Sequence, residues 1–509
     1  FHESLNFASV KKLPLIYIVE NNRYAQWTPI ASQMAIESVA VRAAGYGIVG
    51  ESIDGNDVLK VYETVQKSIE MARKGEGPSL IECKTYRLRR HAERIDERRS
   101  EAEIEEWKKK DPVVRFREYL VKEGIIDEEG LKRLEEDVKR EIEEALNLAL
   151  NDPFPDPKEI LQDVYGPSQE VQTEPPKSGR VITMGDALRE ALMGEMERDE
   201  RVFLIGEDIG ADAIGPLGGL WPTTRGICAK FPDRVIGTPL SEAAIAGVAV
   251  GAALTGLRPV AEIMFADFLT LVMDQLVNYA AKMRYSYGGE ASVPMVLRTV
   301  YGFPTHHLGL HHAQCVESWM MNVPGLKIVM PSTPFDAKGL LIASIRDDDP
   351  VLFLEHKLLY NVKGPVPEQP YTIPIGKADV KREGRDCTVV ATGLMVHRAL
   401  SAAEKLAKEG IGLEVVDPRT ILPLDEGTIV ESVKKTGRLV IVHEAPKLGG
   451  FGGEVAAVVA ERALEYLDAP IVRVTSPFAP VPYSPPLEEA YLPHDEDIIK
   501  AVKRVLSGS

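Results

Sequence analysis

The sequence contains little cysteine. Four of its 509 residues are Cys, and they lie far apart, at positions 83, 228, 315 and 387. No two of them form a CxxC pair, so the sequence lacks the spacing of a zinc ribbon and the density of a disulfide scaffold. Scattered cysteines are typical of proteins from a reducing compartment, and we therefore expect a cytoplasmic protein.

Long apolar runs and an excess of basic charge are also missing. The longest apolar stretch, Ala243–Leu257, is shorter than the roughly 20 residues that a membrane-spanning helix needs, so we expect a buried helix there and no membrane segment. No signal peptide is visible. The 60 Lys and Arg residues against 77 Asp and Glu residues give a net charge of −17, which argues against a nucleic-acid partner.

Short apolar segments alternate with amphipathic segments along most of the chain. This alternation predicts an α/β protein, with parallel sheets and helices on both faces. A length of 509 residues allows about three domains. Residues 167–180 are rich in Pro, Ser and polar residues, as in a linker. We therefore expect domains at 1–166, 181–372 and 373–509.

Two glycine-rich segments have different settings. GYGIVG (45–50) has the GxGxxG spacing but follows a predicted helix, so it predicts a helix end and a turn, not a dinucleotide site. KLGGFGGEVAA (447–457) follows a predicted strand and opens a helix, which fits either tight packing or an anion site. Apolar periodicity predicts further helices over 34–44, 56–73, 101–150 and 269–285.

Polar side chains follow two of the predicted strands. Asn21 and Asn22 follow the strand PLIYIVE, where an amide oxygen suits Mg²⁺, although the pattern alone favours an ordinary Asn-rich turn. In TPLSEAAIAG, Ser241 and Glu242 stand where a helix N-cap and a first-turn acid belong. Alternatively, Glu242 is a carboxylate at the edge of a buried site, where its pKa can be tuned for proton transfer.

Histidine is concentrated in one segment, THHLGLHHAQC (305–315), which holds four of the ten His residues. The spacing does not match a zinc motif, so we favour one catalytic histidine over a metal site or a plain polar loop. A second candidate is His91, in the arginine-rich segment YRLRRHAERIDERRS (86–100). That segment predicts either a solvated loop or an entrance lid that meets an acidic partner.

Together these segments resemble one family, the thiamine-diphosphate-dependent dehydrogenase component of 2-oxo-acid dehydrogenase complexes. The resemblance covers almost the whole chain. Residues 1–166 resemble the C-terminal part of its alpha subunit, with its diphosphate-binding domain. Residues 181–372 and 373–509 resemble the pyrimidine-binding and transketolase-C-terminal-like domains of its beta subunit. The motifs occur in the family's order: FHESLNF, ENNRYA, DGNDV, YRLRRHAE, GED, TPLSEAAIAG, HHAQC, PSTPFDAKGLL, EHKLLY and VPYSPPLEEAYLP.

The resemblance implies roles for individual residues. Glu242 is similar to the glutamate that hydrogen-bonds the aminopyrimidine ring of thiamine diphosphate. Glu207 resembles a second acid near that ring, and Phe268 resembles the aromatic residue that stacks on it.

The metal and acyl-transfer residues follow in the same way. Asn22 and the carbonyl oxygen of Tyr24 resemble ligands of Mg²⁺, whereas the family's GDG aspartate is expected upstream of Phe1. His312 resembles the histidine implicated in acyl transfer, and His91 resembles the histidine at the channel mouth.

The resemblance therefore implies oxidative decarboxylation of a 2-oxo acid with acyl transfer to a lipoyl group on an acyltransferase partner. EHKLLY and the beta segment as a whole favour pyruvate as the substrate, with acetoin as the next candidate. A fused chain implies a homodimer equivalent to two alpha and two beta subunits. Two alternatives stay open, namely a catalytically incomplete fragment that acts as an assembly module and a transketolase-like transferase.

Overall fold

The computed structural model describes residues 1–167, 178–210, 219–303 and 308–507. Most of the predicted linker, 168–177, lies outside these residues. The chain divides into two compact units, Phe1–Glu159 and Ile160–Ser509, and each is described by itself. None of the helices in the described part of the chain has the length and the apolar character needed to cross a membrane.

The first unit contains a parallel three-stranded sheet and a short hairpin. Its strands are β1 (Ile16–Asn21), β2 (Tyr24–Ala25), β3 (Thr28–Pro29), β4 (Val49–Asp54) and β5 (Ser79–Lys84). Its helices are α1 (His2–Val10), α2 (Val58–Arg73), α3 (Glu101–Lys108), α4 (Pro112–Lys122) and α5 (Glu128–Asn151). The sheet order is β1-β5-β4, with β5 buried in the centre, while β2 and β3 form the hairpin. Asp57 caps α2 by accepting a hydrogen bond from the backbone N–H of Lys60 at 3.0 Å.

The second unit contains the larger sheets. Its strands are β6 (Arg180–Thr183), β7 (Val202–Glu207), β8 (Val235–Thr238), β9 (Arg258–Ile263), β10 (Val296–Tyr301), β11 (Lys327–Val329), β12 (Val351–His356), β13 (Lys363–Val366), β14 (Asp379–Arg382), β15 (Cys387–Ala391), β16 (Leu413–Asp417), β17 (Thr420–Leu422), β18 (Leu439–Pro446) and β19 (Val472–Ser476). Its helices are α6 (Met184–Arg198), α7 (Ile227–Lys230), α8 (Glu242–Leu254), α9 (Met283–Ser286), α10 (Glu317–Met320), α11 (Pro334–Arg346), α12 (Leu394–Ala407), α13 (Glu426–Thr436), α14 (Phe451–Ala463), α15 (Pro485–Tyr491) and α16 (Asp495–Ser507).

Two mainly parallel sheets organise this unit. The seven-stranded sheet has the order β17-β11-β12-β10-β9-β7-β8, in which β17 is antiparallel to β11 and the other neighbours are parallel. The five-stranded sheet has the order β14-β16-β15-β18-β19, in which β14 is antiparallel to β16. Central strands such as β10 and β12 are buried along their whole length, as expected for a parallel sheet that is covered on both faces. The α/β prediction is thereby confirmed.

Three helix predictions need correction. In the segment 34–44, residues 34–38 are not helical, and a 3-10 helix, not an α-helix, covers Val39–Tyr46. The segment 269–285 is not one α-helix but a 3-10 helix (Ala266–Leu271), a π-helix (Gln275–Ala280) and α9. The region 101–150 is helical but is divided into α3, α4 and α5. The physical reason is that a short apolar pattern fits α, 3-10 and π spacing about equally well, and only the backbone hydrogen bonds distinguish them.

The glycine predictions agree better with the structure. Gly47 ends the 3-10 helix in the left-handed region, with φ 66°, and β4 follows. In the second glycine-rich segment, an added Cβ at Gly450 would lie 2.6 Å from the His443 ring, and one at Gly452 would lie 2.8 Å from it. The backbone N–H of Gly452 donates to Nε2 of His443 at 3.2 Å. These contacts confirm tight packing at the start of α14.

Candidate functional site

Four of the predicted site residues follow four adjacent strands of the seven-stranded sheet. Glu242 follows β8, Glu207 ends β7, Phe268 follows β9 and His312 follows β10. These strands are consecutive neighbours in the order β8-β7-β9-β10, and all of them are parallel. Because the carboxyl ends of parallel strands meet at one edge of a sheet, the fold brings the four residues to that edge.

The two carboxylates form the polar part of the site. Glu207 is buried, and the backbone N–H of Ser241 donates a hydrogen bond to its carboxylate. Burial, and then the negative charges of Glu242 and Asp208, raise the pKa of Glu207 to about 7. Its Oε1 accepts no hydrogen bond from any described residue. Glu207 is therefore a buried acid that holds its proton close to neutral pH and has one oxygen free for a ligand.

Glu242 lies in the first turn of α8 and is partly exposed. Ser241 is the N-cap residue of α8, as predicted, but its side chain makes no capping hydrogen bond. Its backbone N–H donates to Glu207. The start of α8 thus joins the two acids instead of closing on its own side chain.

Three aromatic rings form the apolar part of the site. The His312 ring lies edge-on to Phe268, with 5.5 Å between ring centroids, and edge-on to Phe265 at 4.7 Å. Phe265 and Phe268 are 5.8 Å apart. Phe268 and His312 are half-buried, whereas Phe265 is buried beneath them. The structure therefore brings together two residues that are 44 positions apart in the sequence.

Sequence reasoning missed Phe265 and Lys357. The Lys357 ammonium lies 5.4 Å from the centre of the Phe265 ring and donates to the Gly302 carbonyl at 2.8 Å. Burial lowers the pKa of Lys357 to about 8. The pair of aromatic residues in FADF, directly after a strand, was the signal available for Phe265. His306 and His307 lie outside the described residues. Among the described residues, no group of three His, Cys, Asp or Glu side chains could hold a metal.

In the first unit, the candidate metal ligands lie at the end of β1. The Asn22 Oδ1 accepts the backbone N–H of Tyr24 at 3.0 Å, and the buried Asn21 donates from Nδ2 to Glu82 at 2.7 Å. Burial alone would raise the pKa of Glu82, but hydrogen bonds from Ser38 and Asn21 outweigh it and lower that pKa. Asn22 and Tyr24 line a cleft of about 240 Å³. Asn21 is therefore tied to a buried carboxylate, while the side chain of Asn22, bonded only to the neighbouring backbone among the described residues, lines the cleft.

The arginine-rich segment is held by Arg99, which is buried. Arg99 donates to both carboxylate oxygens of Glu97, at 2.8 and 2.6 Å, and to the carbonyl of Arg89 at 2.9 Å. Its guanidinium also lies 5.5 Å from the Tyr24 ring. His91 is exposed. The segment is thus anchored beside a candidate metal ligand, while its histidine faces outward.

Three family models match the chain in succession. The dehydrogenase E1 component matches residues 1–158, the transketolase pyrimidine binding domain matches 180–363, and the transketolase C-terminal domain matches 376–498. The second unit also matches complete beta subunits. The beta subunit of acetoin:2,6-dichlorophenolindophenol oxidoreductase from Bacillus subtilis is 48% identical over 335 residues, which cover 64% of this chain and 98% of that protein.

The chain belongs to the dehydrogenase E1 family. Other members from Bacillus subtilis are the 2-oxoisovalerate dehydrogenase subunit beta, 49% identical over 328 residues, and the pyruvate dehydrogenase E1 component subunit beta, 46% identical over 327 residues. Each match covers 64% of this chain and 98% of the relative. A solved structure titled "Split gene transketolase, inactive beta4 tetramer" has a TM-score of 0.53 at 24% identity, over 64% of this chain and 99% of that one. It supports the transketolase-like fold.

The E1 and transketolase domains depend on thiamine diphosphate, typically with a divalent metal such as Mg²⁺. The residues of the second unit fit the pyrimidine part of this cofactor. Glu207 presents an unpartnered buried oxygen and holds a proton near pH 7, so it can both donate to and accept from a ring that carries nitrogen and an amino group. Phe268 offers a partly exposed aromatic face close by. An E1-type chain with an alpha-like first unit and beta-like second unit is consistent with a fusion of the two subunits.

Proposed function

We propose that this chain oxidatively decarboxylates a 2-oxo acid, with pyruvate as the favoured substrate, and transfers the acyl group to a lipoyl group. The observation that carries the proposal is the arrangement of two acids and a histidine–phenylalanine pair at one edge of the seven-stranded sheet. In proteins of this class the cofactor performs the bond-breaking chemistry, and protein groups position it and move protons.

When bound, thiamine diphosphate supplies the nucleophilic carbon and takes up the electron pair that departing carbon dioxide leaves behind. Glu242 would hold the ring nitrogen of the pyrimidine and exchange a proton with it. Glu207 lies close enough to Glu242 for their charges to interact. Because the pKa of Glu207 is raised to about 7, Glu207 stays partly protonated at neutral pH, which limits the negative charge of the pair. Phe268 would support the ring, and His312 would donate and accept the proton that acyl transfer requires.

In the first unit, the Asn22 amide oxygen and the Tyr24 carbonyl would hold Mg²⁺ against the diphosphate. Both are neutral oxygen donors, which Mg²⁺ accepts when phosphate supplies the negative charge. The exposed His91, on the segment anchored by Arg99, would meet the incoming substrate or the acyltransferase partner. We propose an acyltransferase component with a lipoyl arm as this partner and a homodimer as the working assembly, which light scattering at micromolar concentration tests. The four cysteines are free, which fits the proposed cytoplasmic location.

Acetoin is the second candidate substrate. It is supported by the 48% identity to the beta subunit of the acetoin:2,6-dichlorophenolindophenol oxidoreductase. Relatives with pyruvate and 2-oxoisovalerate in their names match to a similar extent, so identity alone does not separate the substrates.

Dye reduction with Mg²⁺ and thiamine diphosphate tests the proposal, with pyruvate, acetoin, 2-oxobutyrate and branched 2-oxo acids as substrates. Pyruvate should give the highest kcat/KM. Glu242→Gln should lower cofactor-dependent turnover by about 10²–10⁴, because general acid–base catalysis contributes that much.

The matched control is Glu454→Gln, since Glu454 also lies in the first turn of a helix that follows a strand, and it is exposed. Its turnover should equal that of the unmodified chain. Folded protein with no turnover on any substrate would favour the assembly-module alternative, and preference for acetoin would replace pyruvate as the substrate.

A further inference from the structure

A hydrogen bond joins the two segments that carry the aromatic part of the site. The Gln314 side-chain Nε2 donates to Asp267 Oδ1 at 2.8 Å, and the Gln314 backbone N–H points to the same oxygen at 3.4 Å. Asp267 directly precedes Phe268, and Gln314 lies two residues after His312. The bond therefore links residues within two positions of the two rings, whose centroids are 5.5 Å apart.

The setting makes this bond hard to replace. Asp267 is 6% exposed, and its second oxygen, Oδ2, accepts no hydrogen bond from any described residue. Within the described part of the chain, the hydrogen bonds that the Asp267 carboxylate accepts thus come from Gln314. The buried Lys357 ammonium and Asp267 interact through their charges, while the hydrogen bond of Lys357 goes to the Gly302 carbonyl. Leaving a buried carboxylate without its donor costs more than the bond itself contributes.

Regular secondary structure does little to hold either segment. Phe268 belongs to a 3-10 helix, Ala266–Leu271, and His312 directly follows a three-residue 3-10 helix, Gly309–His311. Among the described residues, neither segment is a hydrogen-bonded strand of a sheet. A contact between two such segments depends on side-chain bonds to keep its geometry.

We infer that Asp267 and Gln314 are positioning residues that hold the His312 ring against Phe268 and Phe265. This role deepens the proposed function and rests on it for its catalytic consequence. The positioning itself is a property of the folded chain and can be measured without turnover.

The first experiment measures the reactivity of His312 toward diethyl pyrocarbonate, followed peptide by peptide by mass spectrometry. Gln314→Met keeps the side-chain volume but removes the side-chain donor to Asp267. The segment that carries His312 should therefore open more often. The His312 labelling rate should rise on the order of tenfold, the equilibrium equivalent of one hydrogen bond to a charged acceptor. Labelling of the exposed His91 in the same sample provides the internal standard.

The matched control is Asn278→Leu. Asn278 also donates its amide to a carboxylate, that of Asp274, at 2.7 Å, and this pair is exposed and does not link two segments of the site. His312 labelling should not change in this variant. An equal rise in both variants would mean that general loosening, and not the Asp267–Gln314 bond, controls His312.

A double variant provides the rescue. Gln314→Asn shortens the donor by one methylene and should raise His312 labelling, and Asp267→Glu combined with it restores the combined length of the pair. The double variant should return labelling to within about twofold of the unmodified rate. Failure of the rescue, or unchanged labelling in folded Gln314→Met and Gln314→Asn proteins, would overturn the inference.

Kinetics test the catalytic consequence. With a lipoyl acceptor, kcat of Gln314→Met should fall at least about tenfold while KM for the 2-oxo acid stays within about twofold, since misplacement of a reacting group affects the chemical step. Dye reduction, which needs no acyl transfer to a lipoyl group, should fall less. If the unmodified chain is inactive but the Gln314 variants still label faster than it at His312, the proposed function is contradicted and the positioning role stays supported.

Discussion

The two compact units support their candidate site residues in different ways. In the second unit, charged side chains are buried in paired networks. Arg298, which is 2% exposed, donates to Glu355 at 2.6 Å and to Glu262 at 3.0 Å within the seven-stranded sheet. Asp336, fully buried on α11, pairs with Arg419 at 3.0 Å and with Lys381 of the five-stranded sheet. The Asp336 network connects α11, which packs beside β12 of the seven-stranded sheet, to the five-stranded sheet.

The first unit relies on exposed pairs. Arg115 and Asp54, for example, are 2.8 Å apart with side chains that are 35% and 52% exposed. Arg99 is the exception, with a side chain that is 1% exposed. The difference teaches that Glu207 and Glu242 stand on a scaffold that is held together by buried ion pairs such as Arg298–Glu355 and Asp336–Arg419. Asn22 and Tyr24, in contrast, depend on one arginine and a few hydrogen bonds.

The largest expected effect comes from breaking the network between the sheets. Asp336→Ala removes the carboxylate that faces Lys381 and Arg419, and a broken buried pair costs about 3–5 kcal/mol. Urea denaturation followed by circular dichroism should show this loss in the free energy of unfolding. A loss below about 1 kcal/mol would mean that the network does not distinguish the second unit from the first.

The acid pair gives the next effect, through pH. Folded Glu207 keeps its proton up to about pH 7, whereas the ordinary pKa of Glu is 4.5. The folded state thus binds more protons between these values, and stability falls as the pH rises through that window and levels off above it. Glu207→Gln lacks this loss, so its stability relative to the unmodified chain should improve from pH 5 to pH 8 by on the order of 1 kcal/mol.

Chemical denaturation at four pH values measures this change, and the exposed Glu200→Gln is the control. A difference between Glu207→Gln and the unmodified chain that stays constant with pH would contradict the assigned cause, namely burial beside Glu242.

In the first unit, a local effect is expected at Arg99. Arg99→Lys loses the two-pronged contact with Glu97 and the bond to the Arg89 carbonyl, because an ammonium group lacks the planar fork. Thermolysin cleavage before Leu88 or Ile95 should accelerate about tenfold with little change in global stability. Arg98→Lys, at the exposed neighbouring position, is the control. Equal cleavage of both variants would show that Arg99 does not anchor the segment.

The smallest effect is expected at Arg115. Removing its side chain breaks a pair in which both members are partly exposed, and such pairs contribute about 0–1 kcal/mol. Urea denaturation of Arg115→Ala should therefore nearly overlay that of the unmodified chain. A loss as large as that of Asp336→Ala would remove the contrast between the two units.

The strands were predictable because their residues are apolar on both faces and turn signals bound them. PLIYIVE became Ile16–Asn21, and PSLIECKTY became Ser79–Lys84. The family and the cofactor were predicted correctly from motifs, and the α/β class from the alternation of apolar and amphipathic segments. The roles of His91, His312 and the other site residues, and the domain boundaries, stay predictions.

Other features could not be predicted because they depend on residues that are distant in the sequence. The partner of Asp267 is 47 positions away, and that of Asp336 in β14 is 45 positions away. The hydrogen bond from the Ser241 backbone N–H goes to Glu207, 34 positions upstream, and local capping rules, which place Ser241 correctly at the N-cap, do not reveal it. A local pattern carries no information about which distant side chain satisfies a buried charge.

The antiparallel strand β17 has a consequence for how this chain can be divided. It pairs Leu422 with Ile328 and Thr420 with Val329, so residues beyond the pyrimidine-binding match at 180–363 complete the seven-stranded sheet. A fragment that stopped at the family-model boundary would expose the edge of β11 as a template for aggregation. For protein engineering, the second compact unit, Ile160–Ser509, therefore forms one exchangeable cassette, and a chimera should have its junction before Ile160 and not between the two sheets.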